Sequence, residues 1–373
     1  MSKVRKIFLF VALPLVIVFA AVIIWVASDR AAPINNSATN NTPEVTKPGT
    51  VKTEFTAQIF DPSLISHITP LGELNGGYDE AQAISGIMVW NKAEAVSGSK
   101  MIDVYAPTAM TLESYSYHTN PDGNADWTLI FRLNKNVTLK YDHITQAVEK
   151  IVAATTSTPK NNSAEDYPKT QISFAPGELI AKTSGTKQAK NWNIYMYDTA
   201  QKNKFVNQAR YEKSQIGQRL ISGVCPFDYY ESATATSYLA LMGATKAGQT
   251  TACGNVSKDV AGTLSGMWHF DNKDGELREA QDGNFASPLS VYKNSAGQVI
   301  IDQLNNRRSD IEQGTDPAKV TDSQCYGLVN DQVRAAGYAY FNLVSPTEMQ
   351  LAYSSSGFCP VSFPGTDAKT YYR

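Results

Sequence analysis

Between Ile7 and Ala27 the chain carries no Asp, Glu, Lys or Arg, and this run constrains the molecule more than any other feature. At about 1.5 Å of rise per helical residue it is long enough to cross a hydrocarbon core of roughly 30 Å. Lys3, Arg5 and Lys6 precede it, whereas Asp29 and Arg30 follow. The positive-inside bias then keeps residues 1–6 cytoplasmic and exports the rest, a single-pass, N-in, C-out topology. The expectation is a transmembrane anchor over 7–27. Val26-Ala27-Ser28 also offers the small residues at which a signal peptidase cuts, so cleavage stays open as the competing reading.

Residues 28–55 (SDRAAPINNSATNN… to Phe55) contain little that forms a core and are expected to be an extended stalk. Beyond them, runs rich in Val, Ile, Thr, Tyr and Phe alternate with Gly, Pro, Asn and Asp, which predicts a mainly β protein. The net charge of −2 argues against a nucleic-acid partner, which would call for a basic excess. The exported part is too long for one ordinary core, so two domains are expected, over 56–205 and 206–373.

All four cysteines, Cys225, Cys253, Cys325 and Cys359, fall in the second of these. An even number in an exported segment reads as disulfides. Chain order suggests Cys225 with Cys253 and Cys325 with Cys359, the other two connectivities remaining open. A zinc site on these cysteines is disfavoured: there is no CxxC pair, and His269 is the only nearby histidine. N-glycosylation sequons occur at Asn35, Asn40, Asn136, Asn161 and Asn255.

In the first domain, strands are expected over 84–90, 100–105, 110–117, 126–133, 137–141, 172–174, 179–183 and 192–197, forming a curled sheet or barrel. One inserted helix is expected after His143, with Ile144, Val148, Ile151 and Val152 at helical spacing and Thr145 as its cap. Residues 159–169 read as a polar loop. Residues 202–259 turn more helical and form a disulfide-tied connector. From Thr263 onward the pattern predicts a C-terminal antiparallel β domain, barrel or sandwich, with Trp268 and Phe270 in its core.

Three stretches of the first domain carry a family likeness. Ile102-Asp103-Val104-Tyr105-Ala106-Pro107 resembles the "VyAPadG" segment of lysostaphin or LytM-type zinc endopeptidases, which cut peptidoglycan cross-bridges. Lys140-Tyr141-Asp142-His143-Ile144 resembles their "YaHL" motif, and Pro176 to Gly185 (PGELIAKTSG) resembles "kGqxIGxxGxTG". Asn191-Trp192-Asn193-Ile194-Tyr195 then falls where the family has its "HLHFE" strand. The resemblance spans residues 66–198 and implies a lysostaphin-type β domain. It also implies a zinc ion held by an upstream HxxxD and the second histidine of HxH, with an open position for water.

That ligand set is mostly missing. The upstream histidine position is Ser99 if Asp103 is the aspartate, or Gly86 or Ser85 if the ligand lies on the preceding strand, and the HxH pair reads Asn191 and Asn193. A carboxamide oxygen is a poor zinc ligand beside imidazole. Candidate remnants are Asp103 for the metal and His143 for catalysis, with Tyr141 and Trp192 as candidate binding residues. The other histidines, His67, His118 and His269, are not spaced as ligands on one element. There is no GxSxG motif, P-loop or dinucleotide fingerprint. The expectation is a membrane-anchored, extracytoplasmic protein with a catalytically inactive endopeptidase-like domain that binds a cell-envelope polymer or protein and needs no cofactor. The alternatives are an active zinc metallopeptidase with atypical ligands and a structural envelope spacer.

Overall fold

The computed structural model describes residues 54–72, 85–94, 100–120, 123–155, 162–185, 191–213, 215–244, 248–249, 252–270, 289–294, 297–304, 307–311, 314–330 and 333–373. The proposed anchor over 7–27, almost all of the stalk, and Ser99 lie outside these residues. Among them no helix is long and apolar enough to cross a membrane. Phe55, expected to end the stalk, is instead buried, and its backbone N–H donates to the Tyr229 carbonyl at 2.8 Å.

The first half is built on strands β1 (Ile65–Thr69), β2 (Gly86–Asn91), β3 (Ile102–Tyr105), β4 (Met110–Thr119), β5 (Ala125–Arg132), β6 (Val137–Ile144), β7 (Gln146–Ala147), β8 (Asn162–Asp166), β9 (Ser173–Phe174), β10 (Leu179–Thr183), β11 (Asn191–Asp198) and β12 (Gly223–Val224). The large sheet runs β1-β2-β11-β6-β5-β4-β8, with β12 added to β11 and β9 to β4; a small sheet runs β3-β10-β7. The described pairings within these strands are antiparallel. Eight of the elements follow the expected strand segments to within a few residues, whereas β8 lies inside the expected polar loop.

The large sheet alternates in the way a half-buried sheet requires. Leu129 and Phe131 on β5, Leu139 and Tyr141 on β6, and Trp192, Ile194 and Met196 on β11 point into one core, joined by Ile87 and Val89 of β2. The expected helix is shorter than the periodicity suggested. Strand β6 continues through Ile144, and α1 spans only Glu149–Ala154, with Val148 at its N-cap and no side-chain cap. Thr145 does not cap it: its backbone precedes β7, and its hydroxyl accepts from the Ser184 N–H at 3.0 Å.

The connector contains α2 (Gln208–Glu212), α3 (Gln215–Ser222) and α4 (Ser232–Leu239), and its apolar residues belong to the same core, including Tyr211, Phe227, Tyr230, Tyr238 and Met242. The Tyr238 hydroxyl donates to the Phe60 carbonyl at 2.9 Å and accepts from the Ile59 N–H at 3.0 Å, which ties α4 to the segment before β1. Burial pushes that hydroxyl up to about 12. A short hairpin, β13 (Gly243–Ala244) and β14 (Gly248–Gln249), follows.

The C-terminal part consists of two antiparallel four-stranded meanders. One is β15 (Gly266–Trp268), β16 (Leu289–Lys293), β17 (Val299–Leu304) and β18 (Arg307–Ile311). The other is β19 (Ser323–Asn330), β20 (Val333–Ser345), β21 (Glu348–Ser354) and β22 (Lys369–Tyr372). Trp268, Leu289, Val291 and Ile301 from the first share one core with Tyr326, Phe341, Met349 and Leu351 from the second. Trp268 is fully buried as expected, but Phe270 is exposed and packs edge-on against Tyr371. The disulfides are Cys225–Cys253 and Cys325–Cys359, with Cα atoms 6.1 and 5.9 Å apart.

Candidate functional site

The face of the large sheet opposite the core is polar and aromatic. Strand β11 turns Asn191, Asn193, Tyr195 and Tyr197 to this side, because Trp192, Ile194 and Met196 occupy the other. Register places Trp90 opposite Asn191, Met88 and Asp142 opposite Asn193, and Gly86 and Lys140 opposite Tyr195. Directly opposed residues share a face, so these side chains form one continuous surface across β2, β11 and β6. Trp90 stacks on His67 with ring centroids 5.2 Å apart, and its indole N–H donates to Thr69 Oγ1 at 3.0 Å. Tyr195 and Tyr197 stack at 6.4 Å, and the Lys140 ammonium lies 4.7 Å from the centre of the Tyr195 ring.

At one end of this surface the sequence folds in a way that alternation does not foresee. Trp127 pairs with Ile144 and Leu129 with Tyr141, so Thr128 on β5 faces two residues of β6, Asp142 and His143. This is a β-bulge, and His143 adopts φ +62° within it. Such a bulge turns two successive side chains to the same side. His143 Nδ1 consequently lies 3.1 Å from Asp126 Oδ2, and His118 Nε2 approaches the same oxygen at 3.5 Å from β4. Asp142 accepts from the Thr128 hydroxyl at 2.6 Å and from the Lys140 ammonium at 3.0 Å.

The electrostatics follow from these contacts. Burial raises the Asp142 pKa, but the Lys140 and His143 charges and the hydrogen bonds from Thr128 and Lys140 outweigh it, and the net shift is downward. Burial lowers the His143 pKa, but the hydrogen bond to Asp126 and the charges of Asp142 and Asp126 outweigh it, and the net shift is upward.

The candidate residues read from sequence separate into different places. His143 sits at the bulge on the polar face. Asn191 and Asn193 lie on β11, where the Asn191 Nδ2 approaches Met88 Sδ at 3.5 Å and the Asn193 Nδ2 donates to the Tyr195 hydroxyl at 3.1 Å. Asp103 stands on β3 of the small sheet, ion-paired with Lys182 at 2.7 Å. It lines a separate cleft of about 580 Å³ together with Lys92, Glu94, Lys100, Gln146 and Lys182. Tyr141 and Trp192 are fully buried and face the core, so neither is presented to a ligand.

Zinc of the kind the family likeness implies does not fit the residues across β2 and β11. The outward-facing donors at the paired positions Asn191/Trp90, Asn193/Met88 and Tyr195/Gly86 are two carboxamides, a thioether and a phenol, with no imidazole or carboxylate among them. At Gly86 there is no room for a ligand side chain, since a Cβ there would meet the Tyr195 ring at 2.5 Å. Ser85 is likewise engaged, its hydroxyl 3.3 Å from that of Tyr197. The groups overlooked from sequence are Asp126, Trp90, Tyr195 and Tyr197, while His118, set aside for its spacing, is brought beside Asp126 by the pairing of β4 with β5. For the tyrosines the alternation in Asn191–Asp198 carried the signal, whereas the Asp126–His143 contact depends on the bulge. Comparison of the chain with protein-family models, with curated proteins and with solved structures finds no match.

Proposed function

We propose that the chain is a membrane-anchored, extracytoplasmic binding protein whose first β domain is a non-catalytic relative of wall endopeptidases. In this reading it grips a cell-envelope polymer on the outer face of its large sheet. The observation that carries the proposal is the row of half-buried aromatic rings, Trp90, Tyr195 and Tyr197, on the strands where the family likeness would put metal ligands. Aromatic faces beside hydrogen-bonding side chains suit the apolar and polar sides of sugar rings. The paired cysteines fit an oxidising compartment, and the uncharged run over 7–27 supplies the tether.

Co-sedimentation of the purified chain with isolated wall polymer tests the reading. Saturable binding is expected, weakened about tenfold or more in Trp90→Ala and Tyr195→Ala, the range of a central aromatic contact. A structural spacer would show no saturable binding. Binding indifferent to both substitutions would remove the polar face from the proposal.

A further inference from the structure

Asp126 is a buried carboxylate with an unusual set of counter-charges. Its side chain is 6% exposed, and its ion-pair partners among the described residues are two imidazoles, His143 Nδ1 at 3.1 Å and His118 Nε2 at 3.5 Å. No lysine or arginine pairs with it among those residues. Burying a carboxylate without a fixed cation is costly. One ligand atom from each of Asp126, Asp142 and His143 lies within 4.8 Å of the others. The 3.1 Å between Asp126 Oδ2 and His143 Nδ1 is already close to the ligand-to-ligand edge of about 3.4 Å in a tetrahedral shell with bonds of about 2.1 Å.

A separate observation concerns the residue across the strand from Asp142. Asn193 is 8% exposed, stands directly opposite Asp142 in the β11/β6 register, and its Oδ1 is buried with no hydrogen-bond partner among the described residues. Its Nδ2 is engaged by Tyr195. A buried acceptor left unsatisfied is costly, and a carboxamide oxygen is a hard ligand for a cation. The bulge at Asp142 and His143 is what turns the carboxylate and the imidazole to one side of the sheet, since neighbours in a regular strand point apart.

We infer that Asp126, Asp142, His143 and the carboxamide of Asn193 form a binding site for a divalent transition cation of the manganese or zinc class. Two carboxylates with one imidazole and one neutral oxygen suit such ions better than soft copper(I), for which there is no thiolate or thioether in the set. Three of its four ligands stand on β5 and β6 and supply the carboxylates and imidazole that the β2 and β11 face lacks; β11 adds only the Asn193 carboxamide. The site does not depend on polymer binding.

The test is a titration of the full chain, purified without chelator, with Zn²⁺, Mn²⁺ and spectroscopically visible Co²⁺, followed by metal analysis after dialysis. About one retained ion per chain is expected. His143→Gly removes the imidazole while favouring the left-handed backbone, and Asp126→Asn removes a charge with little change of shape. Each is expected to weaken retention tenfold or more, since loss even of a group that only supports a ligand costs roughly 10–100-fold. Asn193→Val should weaken it severalfold, whereas Asn191→Val should not change it. Far-UV circular dichroism checks the fold of each variant. Absence of saturable binding by the wild-type chain overturns the inference without any variant, and so does an affinity that is equal in wild type, His143→Gly and Asp126→Asn.

Discussion

Two buried tyrosine hydroxyls in the first core have opposite standing. The Tyr229 hydroxyl donates to Asp198 Oδ2 at 2.6 Å, and burial followed by that carboxylate raises its pKa well beyond the ordinary range. The Tyr141 hydroxyl is fully buried with no hydrogen-bond partner among the described residues, and burial likewise raises its pKa. Tyr229→Phe is therefore expected to cost about 1.5–3 kcal/mol in urea unfolding, the worth of a hydrogen bond to a charged group. Tyr141→Phe should be neutral or stabilising by up to about 1 kcal/mol, because it removes a desolvated group that gains nothing in return. The role of Tyr141 as a ligand contact, suggested by its place in a motif, yields to strand parity. Leu139 and Tyr141 alternate with Lys140 and Asp142, and only one of those sets faces outward. Trp192, also expected from its place in a motif to touch a ligand, likewise yields to the alternation of Asn191–Asp198, which puts it in the core and Tyr195 on the outer face.

At the scale of elements, the strands of the first half were legible because period-two burial shows directly in the residues, while the helix was not. Ile144, Val148 and Ile151 repeat at helical spacing, yet Ile144 is still a β6 residue, because pairing with β5 extends the strand through the bulge. Tertiary pairing overrode local periodicity there. Gly86 shows a related dependence. The Tyr195 ring and the Ile194 carbonyl would lie 2.5 and 2.8 Å from a Cβ at this position, so β2 and β11 approach as they do only with glycine present. Gly86→Ala is expected to destabilise by about 1–3 kcal/mol, the usual cost of overpacking. It should also displace Tyr195, read as altered tyrosine fluorescence anisotropy and a lower urea midpoint with an unchanged slope.

For the whole molecule, the two disulfides differ in exposure. Cys225 and Cys253 are buried in the first core, whereas Cys359 is exposed in the segment before β22. Graded dithiothreitol followed by alkylation and mass spectrometry should open Cys325–Cys359 first, since access governs thiol exchange. Replacing Cys225 and Cys253 together by serine, which releases a closure of 28 residues, should cost about 3–4 kcal/mol. His269 makes the junction of connector and C-terminal domain sensitive to acid. Burial, and then the Arg210 charge, lower its pKa well below the ordinary 6.5. An unfolded chain therefore takes up a proton that the folded chain refuses, and stability declines as pH falls from about 6.5 toward the depressed folded value. His269→Phe should flatten that part of the stability profile, measured by urea unfolding across the acid range. Residue order alone determined the mainly β character and most strand positions, because alternation is a local property of the chain; it suggested the disulfide pairs but left two other connectivities open, and the structure decided among them. Only the tertiary structure decided what the polar face contains. A bulge of one residue brought Asp142 and His143 together beside Asp126, and cross-strand register placed Asn193 opposite Asp142, neither of which any spacing along the chain encodes.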